Sequence, residues 1–171
     1  MRAAFWVSLV AVLAITAELL THNHRQGISE KILDGRFMWS PEEGIQAIKS
    51  FTAQERQAYQ DSFTGMYLGG DLTLPFAYAL SMALFLKEKR SNLWLVPILA
   101  GMVDLVENFS VMYILRNVHG GLSTSDPFLR VAGTVATPLK WIGVVSGLLL
   151  CVAAGFGYGT APAKSRKTKS I

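Results

Sequence analysis

Four polar side chains in otherwise apolar stretches are the residues with which this sequence could do chemistry. Asp104, Glu107 and Asn108 interrupt one long apolar run, and Lys140 interrupts another. Spacings of three and four residues place the two acids and the amide on one face of a helix. Because ionisable groups inside an apolar helix are costly, such a set is the first candidate for a functional site.

Three further residues could extend that set. Asp71 and Tyr78 share one side of a second apolar run, and Glu18 lies near the end of the first run. The four acids and Lys140 would carry a charge of −3 if all were ionised. One central aspartate already costs about 2.5–3.5 kcal/mol in hydrocarbon. Three solutions stay open: some acids are protonated, water enters from outside, or the site binds a cation or positively charged ligand.

The elements that carry these residues are long apolar runs, which indicate lipid as their solvent. Of the 171 residues, 51% are hydrophobic and 16% are charged, against roughly 25% charged in soluble domains. Four runs approach the roughly 20 residues that a helix needs to cross the hydrocarbon core; they lie near 3–20, 67–86, 93–115 and 131–155. The runs lack the alternation of barrel strands. We therefore expect an all-α protein, an integral membrane four-helix bundle, with residues 1–160 forming a single domain.

The depths of the central residues indicate that they meet. Asp104 would lie roughly 16 Å above the inner end of its span, and Lys140 roughly 14 Å below the outer end of its own. In a hydrocarbon core of about 30 Å, these positions fall near the same depth. We predict that Lys140 faces the two acids, in a polar pocket in the outer half of the bundle.

Basic residues at the ends of the runs predict the orientation. Lys87, Lys89 and Arg90 fill the short turn between the second and third runs, Arg2 precedes the first run, and residues 161–171 form a basic tail. The positive-inside rule assigns such flanks to the cytoplasm. We expect a multi-pass plasma membrane protein, in a bacterial inner membrane, with both termini cytoplasmic and no nucleic-acid partner despite the formal charge of +4. The first run is longer than a usual signal-peptide core and is expected to be retained.

Residues 21–70 form a polar segment that is expected on the extracytoplasmic face. Capping-box patterns begin at Ser40 and at Thr52, and each predicts the start of a short helix. The second of these helices would carry an apolar stripe, formed by Tyr59, Phe63 and Tyr67. Because an apolar stripe on a short helix needs a surface to cover, the segment is predicted to be a helical lid.

Metal and cofactor sites are not indicated, whereas a packing surface is. Cys151 is the single cysteine, and His22 and His24 face different directions on a helix because they are two residues apart. Small residues recur along one face of the fourth run, at Gly143, Gly147, Cys151 and Gly155. Ladders of this kind favour close helix packing in lipid, so this face could join a homo-oligomer or a membrane partner.

Four segments between residues 41 and 141 share an order with known proteins. They are Pro41-Glu42-Glu43, Asp71-Leu-Thr-Leu-Pro75-Phe-Ala-Tyr78, Asp104-Leu-Val-Glu107-Asn108 and Leu139-Lys140-Trp141. In these segments the chain resembles a family of small bacterial four-transmembrane-helix proteins. The resemblance implies no activity, but it implies that these polar positions belong to one pattern.

Three functions follow from the polar set, and the sequence does not decide whether the protein is an enzyme. The first is binding of a small ligand, a lipid headgroup or a cation, with Asp104 and Glu107 as acceptors or proton carriers, Asn108 orienting the ligand and Lys140 as counter-charge. The second is acid–base chemistry on a lipid-soluble substrate. The third is a structural or accessory subunit, whose polar residues only clasp neighbouring helices together.

Overall fold

The fold is helical throughout the residues that the computed structural model describes, which are 2–33, 35–89 and 91–158. The α-helices are α1 (Arg2–Arg25), α2 (Pro41–Lys49), α3 (Ala53–Thr64), α4 (Gly70–Glu88), α5 (Leu95–Asn117), α6 (Pro127–Arg130) and α7 (Thr137–Gly155). A 3₁₀ turn, Val118–Gly120, follows α5, and a π-helix, Val131–Ala136, joins α6 to α7. No strand occurs within these ranges, so the all-α prediction is confirmed.

Within the described residues, three helical stretches are long and apolar enough to cross a membrane. They are Ala3–Arg25, Leu95–Gly120 and Pro127–Gly155, which confirms the prediction of transmembrane helices for three of the four apolar runs. The remaining run, the second along the chain, corresponds to α4, which has Asp71 in its first turn and Lys87 in its last. The apolar residues 72–86 between them extend about 22 Å, which is shorter than the hydrocarbon core of about 30 Å.

The four long helices pack side by side and turn apolar side chains outward. In the described residues α1 packs mainly on α4, α4 also contacts α5 and α7, and α5 packs on α7. Large apolar side chains are exposed on every one of these helices. Examples are Val7, Val10 and Leu13 on α1, Phe76 and Leu80 on α4, Leu99 and Met102 on α5, and Ile142, Val145 and Leu149 on α7. This exterior is suited to lipid and not to water.

Residues 26–33 and 35–69, here named the α2–α3 layer, lie over one end of the long helices. Both predicted capping boxes are present, with Ser40 paired to Glu43 and Thr52 paired to Glu55. The buried core of the layer includes the ends of α5 and α6. Its members include Trp39, Tyr59, Phe63, Ile48, Ile114, Leu115 and Leu129. The layer is therefore held by an apolar core that it shares with the long helices.

Polar contacts also tether the same layer to the long helices and join residues within it. His22 Nε2 on α1 lies 2.9 Å from the carbonyl oxygen of Ala58, and Trp141 Nε1 on α7 donates to the carbonyl oxygen of Arg36 at 2.9 Å. Lys31 Nζ lies 2.5 Å from Glu55 Oε1. The Lys31 ammonium, followed by the amide of Thr52, lowers the pKa of Glu55 to about 2.

The end of the layer differs from the prediction at Tyr67. Helix α3 stops at Thr64, so the stripe ends with Tyr59 and Phe63, and the Tyr67 side chain is fully exposed. The chain then turns through Gly70, which has a φ of 58°. A Cβ atom there would lie 2.0 Å from the carbonyl oxygen of Ser62, so only glycine fits.

The continuous helical stretch formed by α6, the π-helix and α7 begins at Pro127, before the predicted position at residue 131. Asp126 caps its first turn by accepting from the amides of Phe128 and Leu129, and Pro127 occupies the first helical position. Inside the helix, Gly133 lies against Trp39 of the α2–α3 layer. A Cβ at Gly133 would lie 2.3 Å from the Trp39 carbonyl oxygen. The first turns of this helix thus belong to the core of the layer.

The small-residue ladder of α7 is partly used within the chain. A Cβ at Gly143 would lie 2.7 Å from that of Ala100 on α5, whereas Gly147 faces the Met82 sulfur and Gly155 has open space around it. Gly143 and Gly147 therefore allow close contacts between α7 and its neighbours. Arg90 and the basic tail 161–171, on which the predicted orientation partly depends, lie outside the described residues.

Candidate functional site

Small residues bring three helices together around the polar face of α5. Asp104, Glu107 and Asn108 are all buried on that face. One turn earlier, a Cβ at Gly101 would lie 2.9 Å from the Ala79 Cβ on α4. A Cβ at Gly143 of α7 would likewise lie 2.7 Å from the Ala100 Cβ on α5. These contacts set the distance at which side chains of α4 and α7 reach the acids.

Lys140 of α7 meets both acids in the buried interior. Its ammonium contacts Glu107 Oε2 directly and lies 3.6 Å from Asp104 Oδ1. The lysine is 7% exposed, Asp104 is 6% exposed and Glu107 is completely buried. The ammonium also lies 5.4 Å from the centre of the Trp141 ring, an arrangement that favours a cation. The structure thus brings together the three ionisable residues that the sequence placed at one depth.

Two hydroxyl groups complete this ionic cluster, which we define as Asp104, Glu107, Lys140, Tyr78 and Thr137. The Tyr78 hydroxyl on α4 donates to Asp104 Oδ2 at 3.0 Å. The Thr137 hydroxyl contacts Glu107 Oε1, and it also lies 2.8 Å from the carbonyl oxygen of Ala132 inside the π-helix. Each carboxylate therefore has the shared ammonium on one side and a hydroxyl on the other.

Beside the cluster, Asn108 of α5 contacts the start of α4 at Asp71. Asn108 Nδ2 donates to the Asp71 carbonyl oxygen at 2.8 Å. Asn108 Oδ1 is buried and has no hydrogen-bond partner among the described residues. The Asp71 side chain occupies the first turn of α4, where the helix dipole favours a negative charge.

Glu18 is placed apart from the cluster, although it was predicted as a site residue. Its carboxylate accepts from the backbone amides of Tyr67 and Leu68, at 3.0 and 3.2 Å. These amides belong to the turn that precedes α4. Glu18 therefore holds that turn against α1, and it does not line the cavity beside the cluster.

A cavity of about 420 Å³ opens beside the cluster. Its polar lining includes Asp71, Tyr78, Asp104 and Lys140, together with Thr16 and Asn23 of α1. The remaining walls are mainly apolar. They include Leu74 and Met82 of α4, Val144 and Leu148 of α7, and Val12 and Leu19 of α1. An apolar cavity with a few convergent polar groups at one side is the usual form of a site for a small organic molecule.

The cavity opens sideways, between α1 and α7. In the described residues the contact between these two helices is marginal at most, because α1 packs on α4. Leu20 on one wall is 66% exposed, and Leu148 on the opposite wall is 51% exposed. A molecule could thus reach the cluster from the surface that the long helices turn outward.

Two functional candidates were missed from the sequence. Thr137 was counted as an ordinary residue of the fourth apolar run, although it precedes Lys140 by three residues and therefore shares its face. Asn23 was overlooked because α1 was expected to end at residue 20, whereas the helix continues to Arg25. In the described part of the chain, no group of three or more His, Cys, Asp or Glu side chains is placed to hold a metal ion.

Comparisons with known proteins add no identity to this site. No family profile, curated protein or solved structure matches the chain. Its function must therefore be argued from the geometry alone.

Proposed function

We propose that the chain is a four-span membrane protein whose lateral cavity binds a small amphipathic molecule by its polar head. The bundle has α1, α4, α5 and α7 as spans, and the α2–α3 layer is an extracytoplasmic lid. Both termini are cytoplasmic, in a bacterial inner membrane, since Lys87 and Lys89 lie at the end of α4 that points away from the lid.

Helix α4 fits this topology as the remaining span, although its apolar stretch is short. It lies between α1 on one side and α5 and α7 on the other, so much of its length is shielded from lipid by protein. Where it does face outward, it presents Phe76 and Leu80. Asp71 and Lys87, which bound its apolar stretch, would lie at the two interfaces, where such residues are tolerated.

The observation that carries the proposed binding function is the position of the ionic cluster at the wall of an open cavity. A polar clasp that only holds helices together needs no access. Here Asp104 and Lys140 are nearly buried, yet both line a cavity of about 420 Å³ with mainly apolar walls. A ligand head at the cluster and a ligand body against Leu74, Val144 and Leu148 would use the two kinds of lining together.

A membrane-embedded acid–base enzyme is the second candidate. The observation in its favour is the chain of groups Tyr78, Asp104 and Lys140, since each can donate or accept a proton and all three line the cavity. A lipid-soluble substrate bound there would have proton donors and acceptors within reach. Accumulation of a chemically altered form of the bound molecule would distinguish this candidate from simple binding.

The test is to extract the small molecules that remain with the purified protein and identify them by mass spectrometry. We expect wild type to carry one amphipathic species at near-equal molar ratio, and Asp104→Asn to lose most of it. The Asp61→Asn variant is the matched control, because Asp61 lies on α3 and contacts Gln57. If all three proteins carry equal amounts of the molecule, and thermal melts show that each is folded, the proposed site is wrong. The cluster would then only hold the helices together.

A further inference from the structure

The cavity beside the cluster continues into a second, apolar groove. This groove of about 350 Å³ is lined by residues of α1, α4 and α7. Four residues line both spaces, namely Val12, Tyr78, Met82 and Leu148. The far end of the groove is reached at Phe5, Cys151 and Val152. Apart from Tyr78, Ser81 and Cys151, its lining side chains are hydrocarbon, thioether or phenyl groups, so nothing in it selects a polar ligand.

The length of the groove matches a single hydrocarbon chain. From Lys140 to Cys151 the helix α7 advances eleven residues, or about 16 Å. That distance is close to half of the hydrocarbon core, which is about 30 Å thick. A chain that starts at the cluster and follows the groove would therefore extend for about the thickness of one leaflet.

One acceptor that lines the cavity is buried and receives no hydrogen bond from the described residues. Lys140 and Tyr78 already direct protons to the acids. Asn23 Oδ1 is buried, in a side chain that is 9% exposed and lines the cavity, and it has no hydrogen-bond partner among the described residues. A buried acceptor of this kind costs about 1–3 kcal/mol unless a partner arrives. A bound head that donates hydrogen bonds would provide one.

The charges near the cavity favour a head that is also positive. Among the described residues that line the cavity or form the cluster, Asp71, Asp104 and Glu107 are acids, and Lys140 is the only base. An anionic head would add to the excess of acids, whereas an ammonium head would reduce it and donate hydrogen bonds at the same time. The head that fits both the acceptors and the charges is thus an amine.

We infer that the ligand is a single-chain amphiphile with an ammonium head, which lies at the ionic cluster while its chain occupies the groove between α1 and α7. This inference rests on the proposed binding function and names its ligand class. Leu148 stands at the junction of the two spaces, so the chain must pass it.

The head is tested with three probes that share one C18 chain, namely octadecylamine, octadecanol and octadecanoic acid. Each is added at the same mole fraction to wild type in nanodiscs of a neutral diacyl lipid, and the thermal unfolding midpoint is measured at pH 7. We expect octadecylamine, which is protonated at this pH, to raise the midpoint, because a ligand that binds only the folded state stabilises it. An equal or larger rise with the acid or the alcohol would overturn the ammonium head.

The path of the chain is tested with two substitutions at adjacent positions. Leu148→Trp fills the junction of the cavity and the groove, whereas Leu149→Trp changes a neighbouring side chain that is 64% exposed and lines neither space. We expect the first to weaken octadecylamine binding about tenfold or more, since overfilled sites are penalised, and the second to bind like wild type. Equal binding by both variants would place the chain outside the groove.

The two levels of the proposal fail in different ways. If Asp104→Asn abolishes binding of octadecylamine but Leu148→Trp does not, the groove assignment is wrong and the polar pocket stands. If octadecylamine has no effect on wild type although an amphipathic molecule co-purifies with it, the ligand class is wrong and the binding function stands. If octadecylamine has no effect on wild type and no amphipathic molecule co-purifies with it, both are wrong.

Discussion

The two ends of this molecule are built on opposite plans. In the α2–α3 layer the interior is apolar, and Trp39, Tyr59 and Phe63 are each almost completely buried. In the region of the long helices the interior holds Glu107 and Lys140, whereas side chains such as Phe76 lie on the surface. The first plan is that of a protein in water, and the second is that of a protein in lipid.

The two interiors differ because the layer is packed against water and the long helices are packed against lipid. In the layer, burial of apolar area drives the packing. Lipid tails are as apolar as leucine, so this drive is missing between the long helices, which instead use close packing and polar contacts. Close packing is visible where Gly143 meets Ala100, and polar contacts where Lys140 meets Glu107. Substitutions in the two regions should therefore have different consequences.

The largest effect is expected from Lys140→Met in the long helices. It leaves Glu107 and Asp104 buried without their counter-charge, and breaking a buried pair in this way costs about 3–5 kcal/mol. Adding Glu107→Gln should restore much of the loss, because the coupled residues are not additive. Thermal unfolding in detergent measures both. Lys49→Met is the control, since Lys49 is exposed on α2; a loss of stability in the single variant that the double variant does not recover would contradict a charge cluster.

A comparable effect is expected from Phe63→Ala in the α2–α3 layer. Phe63 is completely buried, and truncation of a buried phenylalanine costs about 3–5 kcal/mol. Phe76→Ala removes the same atoms from α4, where the side chain is 62% exposed and faces lipid in our proposal. We expect its unfolding midpoint to stay close to that of wild type. If the two variants are equally destabilised, Phe76 is not at a lipid-facing surface.

A smaller effect is expected where the two regions meet, at Gly133. The added methyl group of Gly133→Ala would collide with the backbone of Trp39, and overpacking typically costs about 1–3 kcal/mol. Faster hydrogen exchange in residues 36–45 would show that the contact between the layer and the π-helix has loosened. Gly155→Ala is the matched control because open space surrounds that glycine, and alanine there should leave exchange in the layer unchanged.

The smallest effect is expected from pH, through Glu55. Its pKa is lowered from 4.5 to about 2, mainly by Lys31. A lowered pKa stabilises the folded state above pH 4.5, and this contribution is lost as the pH falls through about 2. The protection factors of the α3 amides, which are corrected for the intrinsic exchange rate at each pH, should therefore fall between pH 4.5 and 2. In Glu55→Gln this part of the fall should disappear; an identical pH profile of protection in both proteins would contradict the Lys31–Glu55 contact.

Sequence reasoning could predict what depends on periodicity and local chemistry. The helical class follows from long apolar runs, and the capping boxes at Ser40 and Thr52 follow from residue types three apart. The face shared by Asp104 and Glu107 also follows from helical spacing. A polar pocket could be predicted, but its opening between α1 and α7 could not, because that opening depends on how far the two helices stand apart. The position of Glu18 could not be predicted either. Its carboxylate accepts from the amides of Tyr67 and Leu68, in a turn whose place depends on the packing of α4 against α1.

The α2–α3 layer shares its core with α5 and α6, and this has a consequence for the biosynthesis of the protein. Tyr59 and Phe63 are synthesised before α4, but Ile114 and Leu129, with which they share a core, come after it. The nascent segment must therefore wait, with its apolar side chains uncovered, until two more long helices have left the ribosome. During that interval it is open to chaperones, proteases and aggregation. A truncation after α4 would leave the segment in that state permanently.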